Sequence, residues 1–122
     1  MRGIRSVLVF VPDPAAAALF WAGMLGHPEV IRTPSVAVVQ IGEVELIFRL
    51  PDDRNNPGGS PVVYWTVDDF ARAREHISEW GCIELHYPLM ATGDTVITQF
   101  LDPFGVTFGI EGPASTAGTR LE

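Results

Sequence analysis

The sequence predicts an α+β fold: two βαβββ modules in tandem, their curved mixed sheets forming a groove. Three observations carry this. Val7-Leu8-Val9-Phe10-Val11-Pro12-Asp13 leads into an apolar stretch that ends at Gly26, and Val62-Val63-Tyr64-Trp65-Thr66-Val67-Asp68 leads into a second stretch that ends at Gly81, so a strand-to-helix unit occurs twice. Strand-like runs follow each glycine: Val36–Gln40 and Val44–Phe48 in the first half, Thr95–Phe100 and Val106–Ile110 in the second. A segment rich in Asp, Asn, Pro and Gly separates the halves, as a linker would. These boundaries give one domain over residues 1–111, with modules at about 1–52 and 61–111, a linker at 53–60 and a flexible tail at 112–122.

Each element has a local cause. Asp13 and Asp68 stand where a helix N-cap belongs, Pro14 fits the first helical position, and Gly26 and Gly81 fit the left-handed residue that ends a helix. In the second helix Phe70, Ala73, Ile77 and Trp80 form one apolar stripe, with Arg72, Glu75 and Glu79 opposite. The first helix carries no charge over Ala15–Leu25, so Leu19, away from the Phe20 and Met24 face, is expected to meet a further surface, either the other half of the chain or a second subunit. Ile41-Gly42-Glu43-Val44 reads as a two-residue hairpin loop, Ala91-Thr92-Gly93-Asp94 as a turn, and Asp102-Pro103-Phe104-Gly105 as a type I turn. The tail from Gly112 lacks periodicity and reads as a frayed end.

Composition narrows the function. A chain of 122 residues supports one core, and a net charge of −7 argues against a nucleic-acid partner, which needs a basic face. A neutral or cationic small molecule suits that balance. The sequence holds no lysine, which excludes lysine Schiff-base chemistry. Cys82 is the sole cysteine, so no internal disulfide forms and a reducing, cytoplasmic location is expected. The first 25 residues superficially suggest a secretion signal, but Pro12-Asp13-Pro14 interrupts the apolar run, and no run is long enough to span a membrane.

Strand alternation assigns the faces. If Val7, Val9 and Val11 pack on the helix, Ser6, Leu8 and Phe10 face the groove. The same parity directs Glu45, Ile47 and Arg49 there from the first half, and Val62, Tyr64, Thr66, Thr107 and Gly109 from the second. Together they would line an apolar pocket with a few hydroxyls, the composition of a small-molecule site; alternatively these side chains fill the groove themselves. Glu45 is the sharpest polar candidate. It either binds a cation or acts as a base with a raised pKa, or it is a relic of the fold satisfied by Arg49. Trp65 should pack beneath the second helix, Trp21 is open between core, interface and pocket wall, and only one of Thr98 and Gln99 can face the pocket. His27, His76 and His86, the last in an expected strand, lack ligand-like spacing and read as ordinary surface or hydrogen-bonded histidines. Cys82 lacks the electropositive setting of a reactive thiol, and Pro57-Gly58-Gly59-Ser60 is no phosphate site because no helix follows it.

The sequence resembles the vicinal oxygen chelate superfamily of glyoxalases, bleomycin-resistance-type binding proteins and dioxygenases. The resemblance runs over about residues 4–111 and rests on Val11–Asp13, Phe20-Trp21 with Met24-Leu25-Gly26, Val44-Glu45-Leu46, Thr66-Val67-Asp68 and Leu101–Gly105 in that order. It implies a four-ligand metal site in metal-dependent members, at positions held here by Ser6, Glu45, Val62 and Gly109. Only Glu45 matches. A dication needs three or four converging donors, so the resemblance implies a metal-free homodimer, without cofactor, that sequesters a hydrophobic or cationic aromatic compound as drug-resistance members do. The alternative is an isomerase, lyase or dioxygenase-like enzyme, metal-independent or with an atypical metal, using Glu45 as base or ligand.

Overall fold

The computed structural model describes residues 4, 6–26, 30–51, 62–91 and 93–118. The chain divides into two compact units, Met1–Gly59 with Phe104–Val106, and Ser60–Pro103 with Thr107–Glu122. Among the described residues the architecture is α+β, with two α-helices and two mixed sheets of four and five strands. The expected linker at 53–60 lies outside the described residues.

The first unit runs β1 (Ser6–Phe10), α1 (Pro14–Leu25), β2 (Val30–Arg32), β3 (Val36–Ile41) and β4 (Val44–Arg49), in sheet order β1-β4-β3-β2. β1 is parallel to β4 and the other pairs are antiparallel. Helix α1 starts where its sequence says: the Asp13 carboxylate accepts the Ala16 N–H at 3.1 Å, Pro14 opens the first turn, and Gly26 ends the helix at φ 76°. Its alanines let the helix backbone lie close to the sheet. Ala17, Ala18, Trp21, Ala22 and Met24 are buried, as are Ala37, Val39, Leu46 and Phe48 on β3 and β4. Trp21 is therefore core, whereas Leu19 is 51% exposed. The ring of Phe104 meets that of Phe20 edge-on, 5.7 Å between centroids, both rings belonging to this unit. Gly42 supplies the positive φ of a two-residue β3–β4 loop, and Glu43 needs none, the pattern of a type II′ turn.

The second unit repeats the plan: β5 (Val63–Thr66), α2 (Phe70–Glu79), β6 (Ile83–Glu84), β7 (Leu89–Met90), β8 (Thr95–Leu101) and β9 (Thr107–Pro113), in order β5-β9-β8-β6, with β7 also on β8. β5 is again parallel to the last strand. Phe70 and Ile77 anchor α2, with Arg72, Glu75 and Glu79 exposed as expected, but Trp80 at the helix end is 38% exposed.

Three expectations are corrected here. The N-cap of α2 is Asp69, which accepts the Arg72 N–H at 3.1 Å, not Asp68. Either carboxylate could cap by chemistry. The Val67 N–H stays bound to the Glu111 carbonyl at 2.9 Å and Phe70 is fully buried, so the strand runs on and the helix begins at Phe70. The chain after Ile110 does not fray at 112: β9 runs to Pro113, a 3-10 turn follows at Ala114–Thr116, and Ala117 is buried. Thr116 Oγ1 accepts the Phe70 N–H at 2.9 Å, so this segment satisfies a donor that every helix start leaves unpaired. Finally, His86 is not in a strand. It sits between the two-residue strands β6 and β7, where the ring Nδ1 binds the Tyr87 carbonyl at 2.7 Å and Pro88 is buried; proline cannot donate to a ladder.

No described helix is long and apolar enough to cross a membrane.

Candidate functional site

Each sheet turns one face to its buried core and leaves the other open, and the sequence-predicted residues fall on the open faces. In the first unit the register builds three rows across β1, β4 and β3. Ser6, Glu45 and Gln40 form the first, Leu8, Ile47 and Val38 the second, and Phe10, Arg49 and Val36 the third. Ile31 on β2 extends the middle row and is 71% exposed. This is an apolar surface with a half-buried carboxylate at one end and an exposed guanidinium at the other. Glu45 has a hydroxyl and an amide as row neighbours. Arg49 lies four residues away, about 13 Å along the strand, beside Phe10.

The second unit departs from this arrangement at one position. Its rows are Thr107 with Leu101, then Tyr64, Gly109 and Gln99, then Thr66, Glu111 and Ile97; Val62 immediately precedes β5. Tyr64 and Gln99 are separated by the whole width of β9, roughly 9.6 Å for two strand spacings. A tyrosine bridges that gap only by lying across the middle strand. It does so: a Cβ at position 109 would overlap Cδ1 and Cε1 of the Tyr64 ring. Gln99 Nε2 then donates to Tyr64 Oη at 2.6 Å. Gly109 is thus a close-approach glycine, required by a neighbouring ring and not by its own φ. An aromatic ring laid over a cross-strand glycine also shields backbone that the glycine leaves bare.

Strand parity resolves the choice between Thr98 and Gln99. Thr98 points to the core face, fully buried, 2.9 Å from Glu84 Oε2 and 3.1 Å from the His86 carbonyl. Glu84 is held in turn by Arg74, through Nε at 2.9 Å and the terminal nitrogen at 2.6 Å, which ties α2 to β6 and β8. Beside this cluster Cys82 is buried, and burial first and the Asp102 carboxylate second push its thiol up to about 12. It stays protonated near neutrality, as its sequence setting suggests.

Two residues of the open face carry more than the sequence reading assigns them: Gln99 as the partner of Tyr64, and Glu111 beside Thr66. Parity alone places both there. Their significance depends on which strands pair, which parity does not encode.

The positions that hold a metal in metal-dependent relatives do not fit one here. Val62 and Gly109 offer no side-chain donor, and the space a side chain at 109 would need belongs to Tyr64. The nearest carboxylate on that face, Glu111, lies two residues and about 7 Å further along β9. Among the described residues no three His, Cys, Asp or Glu side chains come together in a way that could hold a metal ion. His76 is exposed with its ring near Trp80, centroids 6.3 Å apart, and His27 lies outside the described residues.

Each module sets its first strand parallel to its last and leaves one sheet face open. The sequence profile of the Glyoxalase/Bleomycin resistance protein/Dioxygenase superfamily matches residues 3–110, and the chain belongs to that superfamily. Solved structures agree on the fold. A superfamily member from Sphaerobacter thermophilus DSM 20745 is 23% identical at TM-score 0.75, covering 92% of this chain and 98% of its own. A lactoylglutathione lyase from Agrobacterium tumefaciens is 15% identical at TM-score 0.69, covering 92% and 94%. TnmS3, an antibiotic binding protein from Streptomyces sp. CB03234, is 18% identical at TM-score 0.73, covering 93% and 97%. No curated protein sequence matches the chain.

Proposed function

We propose that this protein is a metal-free binding protein that sequesters a hydrophobic or cationic aromatic small molecule on its open sheet faces. The observation that carries the reading is the Tyr64 ring over Gly109: a position where metal-dependent relatives place a carboxylate ligand is given over to an aromatic contact. The apolar row Leu8-Ile47-Val38 supports it, as does the acidic balance of the chain, which favours a cation. An antibiotic-binding protein shares the fold. The ligand-binding residues in this reading are Ser6, Leu8, Phe10, Glu45, Ile47 and Arg49 in the first unit, with Val62, Tyr64, Thr66, Thr107 and Gly109 in the second. A cytoplasmic homodimer fits the single buried thiol and the uncharged α1 with Leu19 exposed.

Two measurements test this. A thermal-shift screen over aromatic cations and neutral polycyclic compounds should give at least one ligand that raises the Tm by several degrees, since ligand at a hundred times its Kd stabilises by about 2.7 kcal/mol; a flat response across the panel would sink the reading. Elemental analysis of protein purified without chelator or metal-binding tag should find under about a tenth of an equivalent of Zn, Ni, Fe, Mn or Co. About one equivalent surviving dialysis would instead make Glu45 a ligand, and the enzyme reading would then take first place. Sedimentation should give a dimer at micromolar concentration.

A further inference from the structure

The Tyr64–Gln99 bond has a direction, and the direction selects a ligand. A phenol hydroxyl carries one proton to donate and two lone pairs to accept with. Gln99 Nε2 fills one lone pair, at 2.6 Å. The phenol's own proton must therefore point away from that amide. Tyr64 is 38% exposed, and its hydrogen bond to Gln99 lies at the surface. The ring beneath it is braced on Gly109, where no side chain competes for the space. Register fixes both ends: Tyr64 and Gln99 flank the same residue of β9. A tyrosine loses little conformational entropy on binding when its ring is already positioned, which is what makes aromatic anchors selective.

We infer that Tyr64 is the specificity-determining residue of the open face, a proton donor oriented by Gln99, and that it selects planar aromatic ligands carrying a hydrogen-bond acceptor over isosteric hydrocarbons. This rests on the small-molecule-binding reading above. Gln99 acts through Tyr64 and is a positioning residue. Glu111 and Thr66, one row along, set the polar edge of the same surface.

The test is a matched pair of probes, quinoline and naphthalene, which share a shape and differ by one ring nitrogen that accepts a hydrogen bond. Binding is followed by ligand-observed NMR titration on the full chain. Wild type should bind quinoline about fivefold more tightly, the value of one neutral hydrogen bond. Tyr64→Phe keeps the ring and should bring the ratio to about one, with naphthalene affinity unchanged. Gln99→Leu should reduce the ratio without touching the ring, and a purely structural role for Gln99 would weaken both probes alike. Gly109→Ala, which displaces the ring, should weaken both probes together. Equal binding of the two probes to wild type, or a ratio that survives Tyr64→Phe, overturns the assignment of Tyr64 and leaves the binding reading standing. Failure of both probes to bind wild type, each titrated to its solubility limit, overturns both.

Discussion

The middle rows of the two open faces occupy the same place in their modules and are built by opposite means. Leu8 precedes the helix cap Asp13 by five residues, and Tyr64 precedes Asp69 by five. Each pairs with the last strand of its own sheet, Leu8 with Ile47 and Tyr64 with Gly109. In the first unit branched side chains stand side by side, so the row is an apolar strip. In the second, one residue of the row has no side chain. Its neighbour falls into the space, and two residues 35 apart in sequence become hydrogen-bonded. A single glycine on the middle strand converts a hydrophobic strip into a directed polar contact. The helices differ in the same sense: α1 is held by alanine and Trp21 packing, α2 by Phe70, Ile77 and the Arg74–Glu84–Thr98 cluster.

Labelling and mutation should separate the two units at three points. The largest effect is expected at Cys82 in the second unit. With its thiol raised from 9.0 to about 12, the thiolate fraction at pH 8 is about a thousandth of that of an exposed cysteine. Labelling by a thiol reagent, which attacks through the thiolate, should run roughly a thousandfold slower. Because the folded value is the higher one, the unfolded chain loses its proton first. The stability contributed by this group is then complete below pH 9 and declines as pH rises from there toward 12. A falling urea midpoint between about pH 8 and 10.5, flattened by Cys82→Ala, checks the sign; rapid labelling of the native protein would refute the burial. Next comes Gly109→Val, which drives a side chain into the Tyr64 ring and should cost about 1–3 kcal/mol, in the range of overpacking. Ile47→Val at the matching place of the first unit should cost under about 1.5 kcal/mol. Equal losses would mean that the two rows are built alike after all. The third point is Glu84→Gln. It removes a charge bound by Arg74 and Thr98 at a site about a quarter exposed, 24% and 23% for the pair, and should lower stability by roughly 1–2 kcal/mol with no change in ligand affinity.

Much of this is legible in the sequence. The cap at Asp13, the left-handed ends at Gly26 and Gly81, the hairpin loop at Gly42 and the parity of β1, β4, β5 and β9 follow from rules that operate within a few residues, and the sequence displays them directly. The absence of a donor at Val62 and Gly109 is likewise a sequence fact. What local rules misread involves partners far along the chain. Asp68 and Asp69 are equivalent to local chemistry, and the burial of Phe70 chooses between them. The segment after Ile110 looks structureless because its role is to cap α2 through Thr116, a contact across 46 residues that leaves no periodic trace. His86 looks like strand because the run around it is apolar, yet Pro88 divides that run into two short strands.

The sequence by itself determined the two-module plan, the superfamily, the residues on each open face and the missing donors, because alternation, capping and turn chemistry are local and fix which way each side chain points. The tertiary structure alone decided who meets whom. Strand register set Tyr64 and Gln99 on either side of Gly109, and only that juxtaposition lets a ring occupy the place of an absent side chain and turns an exposed tyrosine into an oriented donor.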